Sequence, residues 1–286
     1  KNLKIDEQIT NSFDKELIVN NPGDYEIDVP LKNGLNQISI EAFNKTNTIT
    51  SFRSIVNINA NIPEKKPKLY AIVAGVNNFE SNYGNSLQDL KYAVNDAKSI
   101  SDIALEAKEK IFDDVEIIYL TDNQVTKENI EQAFEKISKK ASLEDTILFY
   151  ISTHGISANS KFYLLPSNNA QLTNLIEFNE IFKKSSELKS LNQIFMIDAC
   201  QSGSANDIAS AVYDSRASVL ARSSGIHLLS ASTSGTYAFE NNEYKHSNFT
   251  YQILNAIKNN ELDRNKDGFI SIIELSNKLK SLDSKE

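Results

Sequence analysis

Phe195-Met196-Ile197-Asp198-Ala199-Cys200-Gln201-Ser202-Gly203 runs an apolar strand straight into a thiol, which small polar residues follow. Cys200 is the single cysteine of a 286-residue chain. It therefore has no disulfide partner within the chain and no second thiolate with which to build a metal cage. Two readings remain, a nucleophile or a buried structural cysteine. Outward from this strand, residues 69–75, 115–120, 146–151 and 226–230 are further short apolar runs. Residues 87–108, 127–140 and 175–189 lie between them with helical spacing, and 249–258 follows the last. Such alternation predicts an α/β fold, a mostly parallel sheet with helices on both faces. In these sheets the reactive groups gather beyond the carboxyl ends of the strands, where His154 and Cys200 both fall.

Residues ahead of this pattern read differently. Strand-like runs at 16–19, 25–31, 36–43 and 48–58 are separated by Asn-Pro-Gly, Lys-Asn-Gly and Asn-Lys-Thr-Asn, which is turn chemistry. Four strands make half of an immunoglobulin-like sandwich. The expected organisation is a small β-sandwich-like module at 1–62, an extended charged linker at 63–68, and the α/β domain from 69 to 286.

Composition narrows the partners. A net charge of -8 lacks the Lys/Arg surplus that nucleic-acid binding needs. No apolar stretch approaches the roughly 20 residues that span a bilayer, so no membrane partner is expected. The chain begins at Lys1 with no signal peptide, and the expectation is a longer parent polypeptide with further N-terminal domains. One cysteine fits a reducing compartment, which makes the cytoplasm the expected location while leaving the periplasm open.

The thiol needs a base, and the chain offers three histidines. His227 lies inside the apolar run Ile226-His227-Leu228-Leu229, as a core or sheet residue would. His246 sits in the polar stretch Glu243-Tyr244-Lys245-His246-Ser247, where solvation is the default. His154 ends the strand Leu148-Phe149-Tyr150-Ile151-Ser152-Thr153-His154-Gly155. An imidazole there can hold a thiol as thiolate and later protonate a leaving amine. No residue presents itself as a third member beside this pair.

The joint pattern Ser152-Thr153-His154-Gly155, then Asp198-Ala199-Cys200-Gln201-Ser202-Gly203 46 residues later, resembles the caspase–metacaspase superfamily of cysteine peptidases. Asp-x-Cys-x-Ser-Gly is the form found in metacaspases and their bacterial relatives. Tyr70-Ala71-Ile72-Val73-Ala74-Gly75-Val76-Asn77 and Leu90-Lys91-Tyr92-Ala93-Val94-Asn95-Asp96-Ala97 resemble the first strand and helix of that family. The resemblance implies a caspase-like domain over 69–286, a Cys200–His154 dyad, and an oxyanion site at the backbone N–H groups of Gly155 and Cys200. It also implies that Asp96, Ser152 and Asp198 line the pocket for the residue before the scissile bond, P1. Two carboxylates there would hold Arg or Lys. The expected activity is a cysteine endopeptidase acting on proteins or peptides with a basic P1, with no cofactor for the chemistry. The alternative is a catalytically inactive caspase-like scaffold that binds protein partners.

Two further signals stay open. Arg216 and Arg222 stand where caspases carry a cleavable linker and offer basic sites for self-cleavage; residues 217–222 read equally as a helix. Asp263-Arg264-Asn265-Lys266-Asp267-Gly268-Phe269-Ile270-Ser271-Ile272-Ile273-Glu274 fits a 12-residue EF-hand loop. Its ligands to Ca²⁺ would be Asp263, Asn265, Asp267, the Phe269 carbonyl, Ser271 and Glu274. A helix is expected on either side, at 249–258 and 272–282. The competing reading is a structural turn capped by Asp263 and broken by Gly268.

Overall fold

A computed structural model of the chain describes residues 26, 29, 31, 33–40, 42, 51–62, 66–81, 87–159, 161–201, 226–230, 240–258, 262–264, 266 and 268–283. Two compact units divide it, one within 15–66 and one within 67–286. In the smaller unit β1 (Gly34–Ile40) pairs antiparallel with β2 (Ser54–Ala60). The run expected at 16–19 lies outside the described residues, as does most of 25–31.

The larger unit is built on a largely parallel sheet. Its central strands are β3 (Leu69–Gly75), β4 (Val115–Thr121), β5 (Thr146–Ala158), β8 (Asn192–Gln201) and β9 (Ile226–Ser230). They lie in the order β4-β3-β5-β8-β9, and all four pairings are parallel. β3 is buried along its whole length, as an apolar run flanked by partners on both sides must be. β5 outlasts β3. Beyond Ser152 it stays paired with β8 to Gly155 and then pairs antiparallel with β6 (Lys161–Leu164), which in turn pairs with β7 (Ile176–Glu177). His154 is therefore not at the tip of its strand, as the apolar run alone suggests, but four positions inside it.

Helices cover both faces, as expected. α2 (Lys127–Ser138) and α3 (Phe178–Ser186) pack Phe134, Ile137, Ile181 and Phe182 against Phe149, Ile151, Phe195 and Ile197. α1 (Ala93–Glu106), α4 (Asn248–Lys258) and α5 (Ile272–Asp283) pack Ala97, Ile100, Phe249, Ile253 and Leu275 against Ala71, Val73, Tyr150 and Met196. Strand parity sorts the side chains. Odd positions of β5 and β8 face the first layer and even positions the second. The Phe149 ring lies 5.5 Å from Phe195 and 5.7 Å from Phe134, each ring no more than 2% exposed. Burial of each such ring stabilises the fold by about 2–3 kcal/mol.

Gly75 sets how closely α1 approaches the end of β3. A Cβ on Gly75 would stand 2.4 Å from the Ala93 carbonyl oxygen. Without one, the first turn of α1 rests directly on the strand. The helix begins at Ala93, six residues later than its hydrophobic spacing suggests. Residues 87–92 form a turn instead, and its backbone groups are spent on partners outside the helix.

Candidate active site

The ends of β5 and β8 bring the expected residues into register. Ser152 pairs with Asp198 and His154 with Cys200. Neighbouring strands in such a ladder run about 4.8 Å apart. Position 200 thus stands directly across from the imidazole-bearing residue, on the adjacent strand.

His154 is held from the other side. Its Nε2 donates to the carbonyl oxygen of Gln88 at 2.7 Å, and its ring meets Phe79 with centroids 4.9 Å apart. A carbonyl can only accept, so the proton resides on Nε2 and Nδ1 is the basic nitrogen. Burial pushes the imidazole below its ordinary pKa, and the Gln88 carbonyl, Glu240 and Asp89 pull it partly back. The hydrogen bond fixes the tautomer, and burial favours the neutral ring. The sequence offers no side chain to partner the imidazole; in the structure its partner is a backbone carbonyl, which no side-chain pattern can announce.

The second cluster lies on the α1/α4 face of the same strands. Asp96, Ser152 and Asp198 are each no more than 4% exposed. Asp198 Oδ2 accepts hydrogen bonds from the Ser247 hydroxyl, from Thr250 Oγ1 at 2.9 Å and from the Tyr150 hydroxyl at 3.4 Å. Asp96 accepts from the Ser247 backbone N–H, at 3.1 Å to Oδ2, and from His246 Nδ1 at 2.6 Å. Ser247 thereby bridges the two carboxylates, one through its N–H and the other through its hydroxyl. Burial and then the nearby Asp96 charge raise Asp198 from 3.8 to about 7. Burial also raises Asp96, against hydrogen bonds from His246 and Ser247. Two carboxylates withdrawn from water beside one another resist ionising together unless a cation joins them.

His246 and Ser247 belong to a short hairpin of β10 (Glu240–Asn241) and β11 (His246–Ser247) that leads into α4. The reading of His246 as a solvated loop residue is corrected: its side chain is 15% exposed and bonded to Asp96. The partner stands 150 residues away, so no local pattern could reveal it. His227 lies in the sheet as expected, paired in β9, but with its side chain exposed.

Comparison with known proteins fits this geometry. A family model described as the caspase domain, of the C14 peptidases, matches residues 68–280. The chain belongs to that family. The caspase domain is thus a member of a cysteine peptidase family whose substrates are proteins or peptides. A crystal structure of protein GSU0716 from Geobacter sulfurreducens is similar at 18% identity and a TM-score of 0.49, covering 68% of this chain and 83% of that one. No curated protein matches the chain.

Other expected site residues are reached in part. In the EF-hand-like loop of the caspase domain, Asp263 Oδ2 accepts the Gly268 N–H at 2.8 Å, and Gly268 adopts a φ of 87°. Glu274 accepts the N–H groups of Arg264 and Ser271, each at 2.9 Å, and the Ser271 hydroxyl at 2.8 Å. Ser271 accepts the Glu274 N–H in return at 3.2 Å, a reciprocal cap on α5. Phe269 is exposed. Asn265 and Asp267 lie outside the described residues, as do Arg216 and Arg222. Among the described residues no group of three or more His, Cys, Asp or Glu gathers in a metal-binding arrangement. No helix among them is long and apolar enough to cross a membrane.

Proposed function

We propose that the caspase domain is a metacaspase-like cysteine endopeptidase that cleaves after Arg or Lys. The observation that carries the reading is the buried pair of Asp96 on α1 and Asp198 on β8, tied together through Ser247 beside the strands that bear His154 and Cys200. A guanidinium or ammonium entering between these carboxylates would relieve the repulsion that keeps them from ionising together. Ser152 shares their face, in register with Asp198.

Chemistry then follows from the placement. The Cys200 thiol gives its proton to Nδ1 of His154, and the thiolate attacks the scissile carbonyl carbon. The N–H groups of Gly155 and Cys200 receive the oxyanion. Collapse of the tetrahedral adduct breaks the C–N bond while the imidazolium returns its proton to the departing amine. Water, deprotonated by the same imidazole, hydrolyses the thioester and frees the acid. The Gln88 carbonyl fixes the tautomer and steadies the imidazolium while it carries the extra proton.

Fluorogenic peptides ending in Arg, Lys and Asp test the reading directly. Arg and Lys peptides should be turned over and Cys200→Ala should abolish the activity. Dominant turnover after Asp, or activity surviving in Cys200→Ala, would sink it. Self-cleavage at Arg216 or Arg222 would appear as mass fragments from the native chain that Cys200→Ala does not give; an intact native chain counts against it.

The EF-hand-like loop is proposed to take Ca²⁺. Asp263 and Glu274 supply carboxylates at its two ends, and the turn at Gly268 that the motif requires is formed. Calorimetric titration with Ca²⁺ should give heat that Glu274→Gln loses. Equal heats in both, or none in either, would leave only a structural turn.

A further inference from the structure

α1 starts without a cap of its own, since no side chain at Tyr92 bonds back into the first turn. One carboxylate oxygen from far along the chain supplies the acceptor instead. Glu240 Oε1 receives the N–H groups of both Lys91 and Tyr92, each at 2.6 Å. These residues end the turn 87–92, whose Gln88 carbonyl meets Nε2 of His154 at 2.7 Å. Asn77 grips the same turn from the sheet side. Its carbonyl accepts the Leu90 N–H at 2.9 Å, and its side chain reaches the Lys91 carbonyl at 3.3 Å and the Val94 N–H at 3.0 Å. Asp89 is used as well, accepting the Phe79 N–H at 3.1 Å beneath the ring that packs on His154. The turn is thus held on one side by the end of β3 and on the other by the β10–β11 hairpin. The hairpin has further ties to this region: Tyr92 donates to Asn242 at 2.9 Å, and Asn95 to the Lys245 carbonyl at 2.7 Å.

We propose that Glu240 is a positioning residue for His154: by holding the N–H groups of Lys91 and Tyr92 it sets the Gln88 carbonyl that fixes the imidazole. The proposal rests on the reading of His154 as the base of the Cys200 nucleophile. Glu240 also acts at longer range, because its charge and that of Asp89 favour the imidazolium over the neutral ring. The reach of its oxygen and its charge are separable. Glu240→Gln keeps an acceptor oxygen at the same reach and discards the charge. Glu240→Asp keeps the charge and withdraws the oxygen by about 1.5 Å, one carbon–carbon bond.

The experiment follows both variants and the native full chain in two ways. Iodoacetamide alkylation across the pH range reports the thiolate of Cys200, the single thiol. Turnover of an arginyl coumarin peptide reports catalysis. Glu240→Asp should lower kcat by about tenfold with KM within about twofold, the scale expected when a catalytic group is misplaced by a fraction of a bond length. Its alkylation profile should move alkaline, toward that of an ordinary thiol. Glu240→Gln should recover most of kcat, with an alkylation profile that lies closer to the native one than that of Glu240→Asp and keeps only the small alkaline shift due to the lost charge. Glu240→Asp indistinguishable from the native chain, or Glu240→Gln as impaired as Glu240→Asp, overturns the proposal. A native chain that cleaves no basic peptide, but whose alkylation profile still responds to Glu240→Asp, supports the positioning role and removes the Arg/Lys reading. Native turnover with an unresponsive profile does the reverse.

Discussion

The two faces of β5 and β8 use the same backbone to opposite ends. On the α2/α3 side, Phe149, Ile151, Phe195, Ile197 and Ala199 are no more than 1% exposed and entirely apolar. On the α1/α4 side the alternating residues are Tyr150, Ser152, His154, Met196 and Asp198. Their partners, Asp96, Ser247 and Thr250, are buried and polar too. The hydroxyls of Tyr150, Ser247 and Thr250 and the Ser247 N–H are spent on the two carboxylates, and among the described residues no Lys or Arg reaches them. One face stays apolar to the strand ends, whereas the other is apolar through Leu148, Tyr150 and Met196 and then holds buried carboxylates whose desolvation subtracts from stability. A sheet can carry a costly site when its opposite side is packed this well.

Substitutions on each face should show this division of labour. Phe149→Ala should cost about 3–5 kcal/mol in chemical denaturation, the usual loss for a fully buried ring. The ratio of Arg to Lys turnover in the folded fraction should stay unchanged; a shifted ratio would mean the faces are coupled. Asp198→Ala should lower kcat/KM for an arginyl peptide by roughly a hundredfold, the scale of losing one charge partner in a buried pair, while Cys200 still alkylates. Loss of alkylation along with turnover would instead make Asp198 part of the fold's support.

Asp198 also predicts a pH dependence of stability. It titrates near 3.8 in the unfolded chain and near 7 when folded. Between those values the native state keeps a proton that the unfolded state has released. Stability from this group is therefore greatest at acid pH, declines as pH rises from the lower value, and is lost above the upper one. Asp198→Asn should flatten this dependence in denaturation measured across that window. A native profile matching that of Asp198→Asn would refute the assignment. The smallest effect is expected at the seam between strand and helix. Gly75→Ala should cost about 1–3 kcal/mol by lifting α1 off β3, and weaken basic-peptide turnover by carrying Asp96 with it. Unchanged melting and turnover would show that α1 has room to spare.

What could be read from the chain follows from how each residue acts. β3 and β8 are legible because buried parallel strands must be continuous apolar runs, and the partly exposed edge strands β4 and β9 keep enough apolar residues to be read as strands. Cys200 and His154 stand out as rare, reactive residues just past long apolar runs, and register alone sets their positions side by side. Asp96 and Asp198 were legible only through family resemblance, since a single acid on a helix or a strand end has many ordinary explanations. Gln88 and Glu240 were not legible. The first acts through its carbonyl, which every residue possesses, and the second binds backbone N–H groups 148 and 149 residues upstream. The late start of α1 has the same cause, because turn 87–92 is shaped by tertiary partners that override local helical spacing.

β5 has one more consequence. At Gly155 it is paired with β6 and β8 at once, and three residues earlier, at Ser152, with β3 and β8. Shifting His154 by a single residue would break ladders on both sides and turn every core side chain of the strand to the wrong face. The backbone of the base is therefore the fixed datum of the site. Any reversible on–off control has to work on what meets the imidazole from outside the sheet, turn 87–92 and the hairpin of Glu240, turning the ring while the strand that bears it stays in place.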